Sequence, residues 1–303
     1  MKIFMTGATG FIGRSLTSSL LAAGHDVVAI SHGAQRAKEI LGEKVKIVEG
    51  NPAIAGDWLE EVKTSEAVIN LCGAPILKKK WTPSIKQDLL DSRILPTRLI
   101  VEAIKSTTDR PKVLISGSAI GYYGDRGDEI VDETSPPGSD FGAKLCSQWE
   151  AEAEKASELG VRVVTLRTGM VLGRGGGSLA QMIIPFKFFA GGRIGSGRQY
   201  ISWIHLKDHV GITMLALADN SLTGPINMTT PSPARNRDFM AAIGKAMGRP
   251  SWLPTPGLAL KIIFGEGADL PLGGQQVFPI KAQEIGYIFQ FSNLNAALAD
   301  VLV

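Results

Sequence analysis

The sequence predicts an α/β protein built on a doubly wound parallel sheet. Six short apolar segments recur along the first half of the chain, at residues 2–6, 27–30, 45–48, 67–71, 113–115 and 161–166. Longer segments that can form helices separate most of them, notably 11–23, 85–105 and 141–159. Strands that are apolar nearly throughout and alternate with helices favour a parallel sheet covered on both faces. Right-handed crossovers then produce a Rossmann-type fold.

The second half of the chain is less regular. Helices are expected at residues 178–190, 206–218, 235–247, 275–283 and 294–302. Two glycine-rich stretches, 173–177 and 194–200, are typical of loops, and the three prolines of 250–256 are typical of a linker. We therefore predict a Rossmann domain over residues 1–172, to which some later segments return. A smaller region, 173–303, would complete a cleft and carry a distinct tail from about residue 250.

Composition narrows the class of protein. Among 303 residues, 44% are hydrophobic and 20% charged, the balance of an ordinary globular protein. A net charge of +3 does not indicate nucleic acid or membrane partners, so a small-molecule substrate is the expected partner, with oligomeric state left open. The two cysteines fit no disulfide framework or metal-ligand spacing, so no metal is expected. The chain shows neither a signal-peptide core nor about 18 consecutive apolar residues, and we expect it in the cytoplasm.

The most informative segment is Thr-Gly-Ala-Thr-Gly-Phe-Ile-Gly at residues 6–13, between a predicted strand and a predicted helix. Gly7 permits a tight turn, Gly10 lets the backbone approach a pyrophosphate, and Gly13 lets the helix pack on the strand. Backbone N–H groups at the start of such a helix attract phosphate. The segment predicts a dinucleotide site, and the alternative is a strand–turn–helix joint without a ligand.

The end of the second strand bears on which dinucleotide binds. Folds that prefer NAD usually place Asp or Glu there, to bond the ribose 2′-hydroxyl. This chain has Ser31 and His32 instead, with Arg36 and Lys38 close behind. Cations can pair with a 2′-phosphate that a carboxylate would repel, so NADP(H) is favoured over NAD(H). The alternative is that Arg36 and Lys38 are solvated charges on a helix.

Motifs along nearly the whole chain carry a resemblance. They are Thr-Gly-Ala-Thr-Gly-Phe-Ile-Gly at 6–13, Asn-Leu-Cys-Gly-Ala-Pro at 70–75, Trp81, Asp-Ser-Arg at 91–93, Ser-Gly-Ser-Ala-Ile-Gly-Tyr-Tyr-Gly at 116–124, Leu-Arg-Thr-Gly-Met-Val-Leu-Gly at 166–173, Gly-Ser-Gly-Arg-Gln-Tyr-Ile-Ser-Trp-Ile-His at 195–205 and Leu-Gly-Gly-Gln at 272–275. Together they resemble the extended short-chain dehydrogenases/reductases, in the atypical, nucleotide-sugar-epimerase-like subgroup called epimerase family proteins. The resemblance implies a Rossmann domain followed by a smaller region that completes a cleft.

The resemblance also implies cofactor contacts. The expected cofactor-binding residues are Gly7, Thr9, Gly10, Phe11, Ile12, Gly13, Ser31, His32, Leu71, Cys72, Gly73, Asp88, Arg93 and Val171. The first six would meet the pyrophosphate, Ser31 and His32 the adenosine ribose, and Val171 the nicotinamide side. Many relatives have Arg where this chain has His32, which weakens the expected grip on a 2′-phosphate.

The chain departs from the superfamily at its catalytic centre. Such dehydrogenases use Ser, Tyr and Lys, with Tyr and Lys four residues apart on one helix face. Ser118 stands where the catalytic Ser belongs, but Phe141 and Leu145 occupy the Tyr and Lys positions. Ser118, Tyr122 and Tyr123 are therefore the catalytic candidates, and the alternative for the tyrosines is packing around the cofactor.

Two further residues are candidates for binding substrate. Arg198 follows a glycine-rich stretch and could hold an anionic group, and His205 precedes a predicted helix. The alternatives are a surface cation and a structural histidine. We predict an NADP(H)-binding oxidoreductase or epimerase-like protein for a small substrate, with anionic or sugar-derived compounds as candidates. The rival prediction is a weakly active or inactive NADP(H)-binding sensor or interaction protein, because the Tyr-x-x-x-Lys pair is missing.

Overall fold

The computed structural model describes residues 1–77 and 79–303. Lys78, part of the basic run 78–80 that the sequence suggests is a solvated surface, lies outside the described residues. The strands are β1 (Lys2–Thr6), β2 (Asp26–Ser31), β3 (Lys46–Glu49), β4 (Ala67–Asn70), β5 (Val113–Ala119), β6 (Ile130–Val131), β7 (Arg162–Thr168), β8 (Met170–Leu172), β9 (Tyr200–Ile201), β10 (Trp203–His205), β11 (Gly224–Met228), β12 (Ala234–Arg235) and β13 (Gln276–Val277).

The helices follow the same chain order. They are α1 (Phe11–Ala22), α2 (Ala34–Leu41), α3 (Trp58–Lys63), α4 (Pro83–Lys105), α5 (Phe141–Glu154), α6 (Gly177–Met182), α7 (Ile184–Lys187), α8 (Leu206–Ala218), α9 (Asn236–Met247), α10 (Gly257–Phe264), α11 (Asp269–Leu272), α12 (Ile280–Glu284) and α13 (Leu294–Leu302). Short 3-10 turns cover Ile120–Tyr123, Ser157–Leu159 and Gly265–Ala268.

Seven parallel strands form the central sheet, in the order β11-β7-β5-β4-β1-β2-β3. The order reverses beside β1, so the crevice for a ligand opens at the carboxyl ends of β1 and β4. Thr6 lies opposite Asn70, which lies opposite Ser116, so the loops that follow these strands share one edge. The predicted doubly wound Rossmann-type sheet is confirmed.

Helices cover both faces of the sheet because its strands are apolar on both sides. One buried cluster joins the strands to α1 and α8, through residues such as Leu16 and Ile212. The opposite cluster joins them to α3, α4 and α5, through residues such as Val62, Ile100 and Ala153. The sheet is therefore buried on both faces, as is usual for parallel sheets.

The sheet takes its last strand from beyond residue 172. β11 pairs with β7 along Gly224–Met228, and α8 packs beside α1. A third buried cluster, formed by α6, α7, α9 and α13 around Trp203, belongs to the second half. The division of the chain at residue 172 stays a prediction, and the structure interleaves the two parts.

Three expectations for the second half are wrong in detail. The helix expected over 178–190 is split into α6 and α7, because Pro185 favours the first turn of a new helix over the interior of a continuing one. The helix expected over 275–283 begins only at Ile280, after Pro279, and β13 pairs instead with β6. The segment 250–256 is no free linker, since Ser251 and Thr255 form bridges with Gly191 and Ile194.

In the part of the chain described, no helix is long and apolar enough to cross a membrane.

Candidate functional site

The glycine turn after β1 has the shape of a phosphate cradle. Gly7 has φ +69° and lies so close to the end of β4 that an added Cβ would stand 2.7 Å from the Leu71 carbonyl. An added Cβ at Gly13 would stand 2.1 Å from the Gly7 oxygen. Gly10 precedes α1, is exposed, and would meet only the Gly7 oxygen, at 3.1 Å. Two glycines therefore shape the turn, and Gly10 leaves open the space in front of the helix.

The end of β4 is tied to this turn by buried polar contacts. The Thr6 hydroxyl donates to Asn70 Oδ1 at 2.6 Å and accepts from the Cys72 backbone N–H. Burial raises the pKa of the Cys72 thiol to about 11, so it is neutral at pH 7. The Arg93 guanidinium donates to the Ala74 carbonyl and would stand 3.0 Å from a Cβ on Gly73. Gly73 and Arg93, both expected at the cofactor, are thus neighbours.

The end of β2 is open and basic on one side. His32 and Arg36 are exposed, and Gly33 N–H lies 3.5 Å from Ser31 Oγ. The Lys38 ammonium lies 3.8 Å from the Glu43 carboxylate, which offsets part of the positive charge that Lys38 could offer to a phosphate. The sequence reasoning overlooked Glu49, which ends β3 directly opposite Ser31 and is exposed. Arg36 therefore remains the stronger of the two cationic candidates.

The glycine-rich stretch 173–177 packs closely against the glycine turn. Added Cβ atoms at Gly173, Gly176 and Gly177 would stand 2.8, 2.3 and 3.0 Å from the Phe11 ring. Arg14 from the same helix donates to the Gly175 carbonyl. The sequence predicts a loop at 173–177 but not this packing, because spacing along the chain does not show which side chain the loop contacts. The contact ties the second half of the chain to the cofactor turn.

A cleft of about 360 Å³ opens between the loops after β5 and the C-terminal segment. Its lining comprises Trp81, Gly121, Gly124, Asp125, Asp140, Phe141, Gly142, Lys261, Glu266, Asp269, Leu270, Leu272, Gly273, Gly274 and Gln275. Phe141 begins α5 and meets the Trp81 ring edge-on at 5.0 Å. Leu145 is 3% exposed and packs into the protein. The position of the missing tyrosine thus faces the cleft, whereas that of the missing lysine is buried.

Ser118 belongs to a buried ionic network behind the cleft. Its hydroxyl donates to Glu150 Oε1 at 2.5 Å. Arg167 holds the same carboxylate with two hydrogen bonds, of 2.9 and 2.8 Å. Burial works against the charge of Arg167, but the hydrogen bonds and charge of Glu150 outweigh it, so the pKa of Arg167 is raised. No pattern in the sequence pointed to Glu150 as the partner of Arg167.

The two tyrosines differ in what surrounds them. Tyr123 is fully buried, and its hydroxyl accepts from Arg167 at 2.9 Å and donates to Asn227 at 2.7 Å. Burial raises its pKa to about 12. Tyr122 is half-buried, with the Arg167 guanidinium 3.6 Å from its ring centre, and its hydroxyl makes no hydrogen bond to the described part of the protein. The geometry does not favour Tyr123 as a proton donor and leaves Tyr122 as the candidate.

The remaining candidates lie apart from the cleft lining. His205 is 2% exposed, caps α8 by accepting from the Lys207 N–H, and stacks on Phe291 at 3.9 Å. It lines a second cavity, of about 730 Å³, where its Nε2 lies 3.2 Å from Asp300 Oδ2, so its expected role at the substrate stays a prediction. Arg198 and Asp88 are exposed, the latter on α4. Val171 is buried in the core that α1 and α8 share. The described residues hold no cluster of metal-ligating side chains.

Comparison with known proteins places this geometry in a family. The model of the NAD dependent epimerase/dehydratase family matches residues 3–228, and that of a domain of unknown function matches residues 255–301. An epimerase family protein of Arabidopsis thaliana, the chloroplastic SDR39U1 homolog, is 41% identical over 308 residues, covering 100% of this chain and 87% of that protein. One from Staphylococcus aureus is 37% identical, covering 99% of both chains.

Solved structures agree with the sequence relatives. The crystal structure of human epimerase family protein SDR39U1 with NADPH is 33% identical, with a TM-score of 0.87, and the match covers 100% of this chain and 99% of that one. UDP-glucuronic acid 4-epimerase from Bacillus cereus shares the fold at 20% identity and a TM-score of 0.81, covering 100% and 97%. The resemblance seen in the motifs is confirmed: the chain belongs to the NAD-dependent epimerase/dehydratase family.

Proposed function

We propose that this protein is an NADP(H)-binding oxidoreductase or epimerase-like enzyme that acts on a small molecule in the cytoplasm. The observation that carries the proposal is the cradle of Gly7, Gly10 and Gly13, where a Cβ at Gly10 would occupy the space in front of the helix N-terminus. Backbone N–H groups of that terminus would hold the pyrophosphate. When bound, the nicotinamide supplies or accepts a hydride. The NADPH of the human relative agrees with this choice of cofactor.

The end of β2 supports NADP(H) over NAD(H). Arg36 is exposed in the first turn of α2, and no carboxylate ends β2 itself. An Arg guanidinium can hold a phosphate with two hydrogen bonds. The Glu49 carboxylate on the neighbouring strand would repel a 2′-phosphate. The preference for NADP(H) therefore depends on Arg36 and His32 together.

The charge of the cleft favours an uncharged or cationic substrate over an anionic one. Four carboxylates line it, from Asp125, Asp140, Glu266 and Asp269, against the single ammonium of Lys261. Lys86 pairs with Glu266, and Asp140 caps α5, which reduces but does not cancel the excess. A polyol or carbonyl compound with an apolar face would match these carboxylates and the rings of Trp81 and Phe141.

Proton handling in this site would differ from that of the superfamily. Phe141 transfers no proton, and the Ser118 hydroxyl already donates to Glu150. Ser118 is left free to accept a hydrogen bond from a substrate hydroxyl, with Glu150 fixed behind it by Arg167. Tyr122 supplies the free phenol on the same loop. The lysine that assists the tyrosine in the superfamily is missing here, so turnover is expected to be slow.

The second candidate function is a nucleotide sensor without turnover. The burial of Leu145 favours it, because the lysine position has become part of the core. The two functions separate in one assay. A screen of hydroxyl and carbonyl compounds that follows NADPH absorbance would reveal turnover in the enzyme and none in the sensor.

The proposal is tested by titrating NADPH and NADH into the wild type and Arg36→Ala. Loss of one charged phosphate contact should weaken NADPH binding about tenfold and leave NADH binding unchanged. Lys44→Ala, another exposed cation in the same half, is the control. Tighter binding of NADH than of NADPH would refute the cofactor choice.

The catalytic role of the loop after β5 is tested by combining Ser118→Ala with Tyr122→Phe. The double variant should have no activity, and full activity in it would show that these residues do not carry the reaction.

A further inference from the structure

An apolar surface lies exposed on the second half of the chain, and the cofactor site does not use it. Its members, here called the apolar patch, are Ile184, Phe188, Phe189, Trp252, Leu253, Leu258, Ile262 and Ile263. Each is at least 42% exposed, and Phe188 reaches 76%. Helix α10 supplies three of them and buries none of its residues. Soluble surfaces usually scatter such side chains singly, so a concentration of this kind marks an interaction site.

Backbone pairing holds the two segments of the patch together. The Trp252 indole donates to the Phe189 carbonyl at 2.9 Å, and the backbone N–H groups of Trp252 and Leu253 both donate to Gly191. Helix α10 begins two residues after the bridge between Ile194 and Thr255. Residues 188–189 and 252–253 are therefore held side by side, and α10 continues the chain from the second of these segments.

The turn that presents the two phenylalanines is strained. Phe189 has φ 57° and is the only non-glycine residue with a positive φ within residues 1–77 and 79–303. A bulky side chain in that region is uncommon. The Arg249 guanidinium lies 4.4 Å from the Phe189 ring centre, which keeps a cation beside the exposed ring. The left-handed turn lets the backbone N–H groups of Phe189 and Ala190 donate to the carbonyls of Phe186 and Pro185, which ends α7 and leaves the Phe188 and Phe189 rings exposed.

Cations outnumber carboxylates along the segments that form the patch. The sequence has 29 Asp and Glu residues, yet none between Glu158 and Asp208 and none between Asp238 and Glu266. These two stretches contain every patch residue. Apart from Lys261, which lines the cleft, their exposed basic side chains include Lys187, Arg193, Lys245 and Arg249. The net charge of +3 for the whole chain conceals this local excess.

We propose that the apolar patch docks on an anionic lipid bilayer. Exposed Trp, Phe and Ile side chains insert into the interface between headgroups and acyl chains, and neighbouring Lys and Arg meet the lipid phosphates. A second copy fits less well, because a symmetric contact would bring the same cations face to face without carboxylates. The absence of a membrane partner, expected from the net charge, is replaced by this proposal.

Sedimentation with vesicles tests the docking. Wild-type protein should bind vesicles of phosphatidylcholine with about one third phosphatidylglycerol, bind phosphatidylcholine alone weakly, and release as salt rises from about 0.1 M to about 0.5 M. Ile262→Asp and Phe188→Asp should each weaken binding about tenfold or more. Ile288→Asp alters a side chain that is 87% exposed outside the patch and should leave binding unchanged. Circular dichroism establishes that each variant is folded.

Two further measurements separate the alternatives. Trp252 is 66% exposed, while the other four tryptophans are at most 8% exposed, so anionic vesicles should protect it from acrylamide quenching. Lys187→Glu with Arg249→Glu should abolish the binding, and Lys44→Glu should not. Absence of binding to anionic vesicles, or equal binding by Ile262→Asp, overturns the proposal. So does a lipid-free dimer, seen by analytical ultracentrifugation, that Ile262→Asp dissociates.

Discussion

The three glycines of the turn have different roles, and the structure shows which of them can be substituted without unfolding the protein. Gly7 needs its positive φ, and Gly13 has no room for a side chain. Gly10 has φ −71°, which any residue adopts, and only one close neighbour. A substitution at Gly10 therefore acts on the ligand space rather than on the fold.

Gly10→Val should abolish NADPH binding while the melting temperature stays near that of the wild type, because the side chain takes the place of the pyrophosphate. Calorimetric titration and thermal unfolding measure the two effects. Gly13→Val is the contrasting variant, and its Cβ at 2.1 Å from a carbonyl oxygen should prevent stable folding. Unchanged NADPH affinity in Gly10→Val would show that the turn is not the binding site.

Tyr123→Phe should lower the free energy of unfolding by about 1–3 kcal/mol, because Arg167 and Asn227 each lose a buried partner. Tyr122→Phe removes no hydrogen bond and should stay within about 0.5 kcal/mol of the wild type. Urea unfolding of both variants gives the comparison. A Tyr123→Phe variant with full stability but no turnover would restore Tyr123 as the proton donor.

At the scale of elements, α8 connects the two halves of the chain and has two buried histidines, His209 within it and His205 at its N-cap. Burial lowers the pKa of His209 to about 4 and also lowers that of His205. His209 Nε2 lies 3.2 Å from the Thr168 hydroxyl, at the end of β7. The helix is thus packed on the sheet with neutral imidazoles.

Stability should fall as the pH drops from 6.5 towards about 4, because the unfolded chain protonates His209 in that range and the folded chain does not. The contribution of neutral His209 to the free energy of unfolding is fully present well above pH 6.5. Between about pH 7.5 and about pH 4.5 the wild type should lose roughly 2–3 kcal/mol more than His209→Gln, which does not titrate. Urea unfolding at several pH values measures this difference, and parallel curves for the two proteins would contradict it.

At the scale of the molecule, the two halves are interleaved rather than joined in series. β11 closes one edge of the sheet, α8 covers α1, and the loop 173–177 packs on Phe11. The cleft in turn needs Trp81 and Phe141 from the first half and Lys261 and Leu270 from the second. Cofactor turn, sheet and cleft should therefore unfold together.

A fragment of residues 1–172 should not fold on its own, because β7 would expose its pairing edge and α1 its apolar face. The full chain should show a single cooperative thermal transition, and the fragment none by near-ultraviolet circular dichroism. A fragment ending at residue 228 restores β11 and α8 and serves as the comparison. Cooperative unfolding of the 1–172 fragment would show that the sheet is complete without them.

The sequence alone determined the alternation of strands and helices, the glycine turn, and the loss of tyrosine and lysine at positions 141 and 145. The first two depend on residues close along the chain, where periodicity and spacing report directly on backbone geometry, and the third depends on the resemblance to the superfamily. Pro185 and Pro279 are visible signals that a helix begins anew, but the helical period of the surrounding apolar residues predicts continuous helices across them.

Only the tertiary structure decided the surroundings of the site. Ser118, Glu150 and Arg167 meet from three separate elements, and the four carboxylates of the cleft come from both halves of the chain. The tertiary structure also shows that the buried Tyr123 hydroxyl is hydrogen-bonded, that His205 caps a helix, and that the apolar patch is exposed. Contacts of this kind arise because chain crossovers bring distant residues together, and no local pattern encodes which side chains then meet.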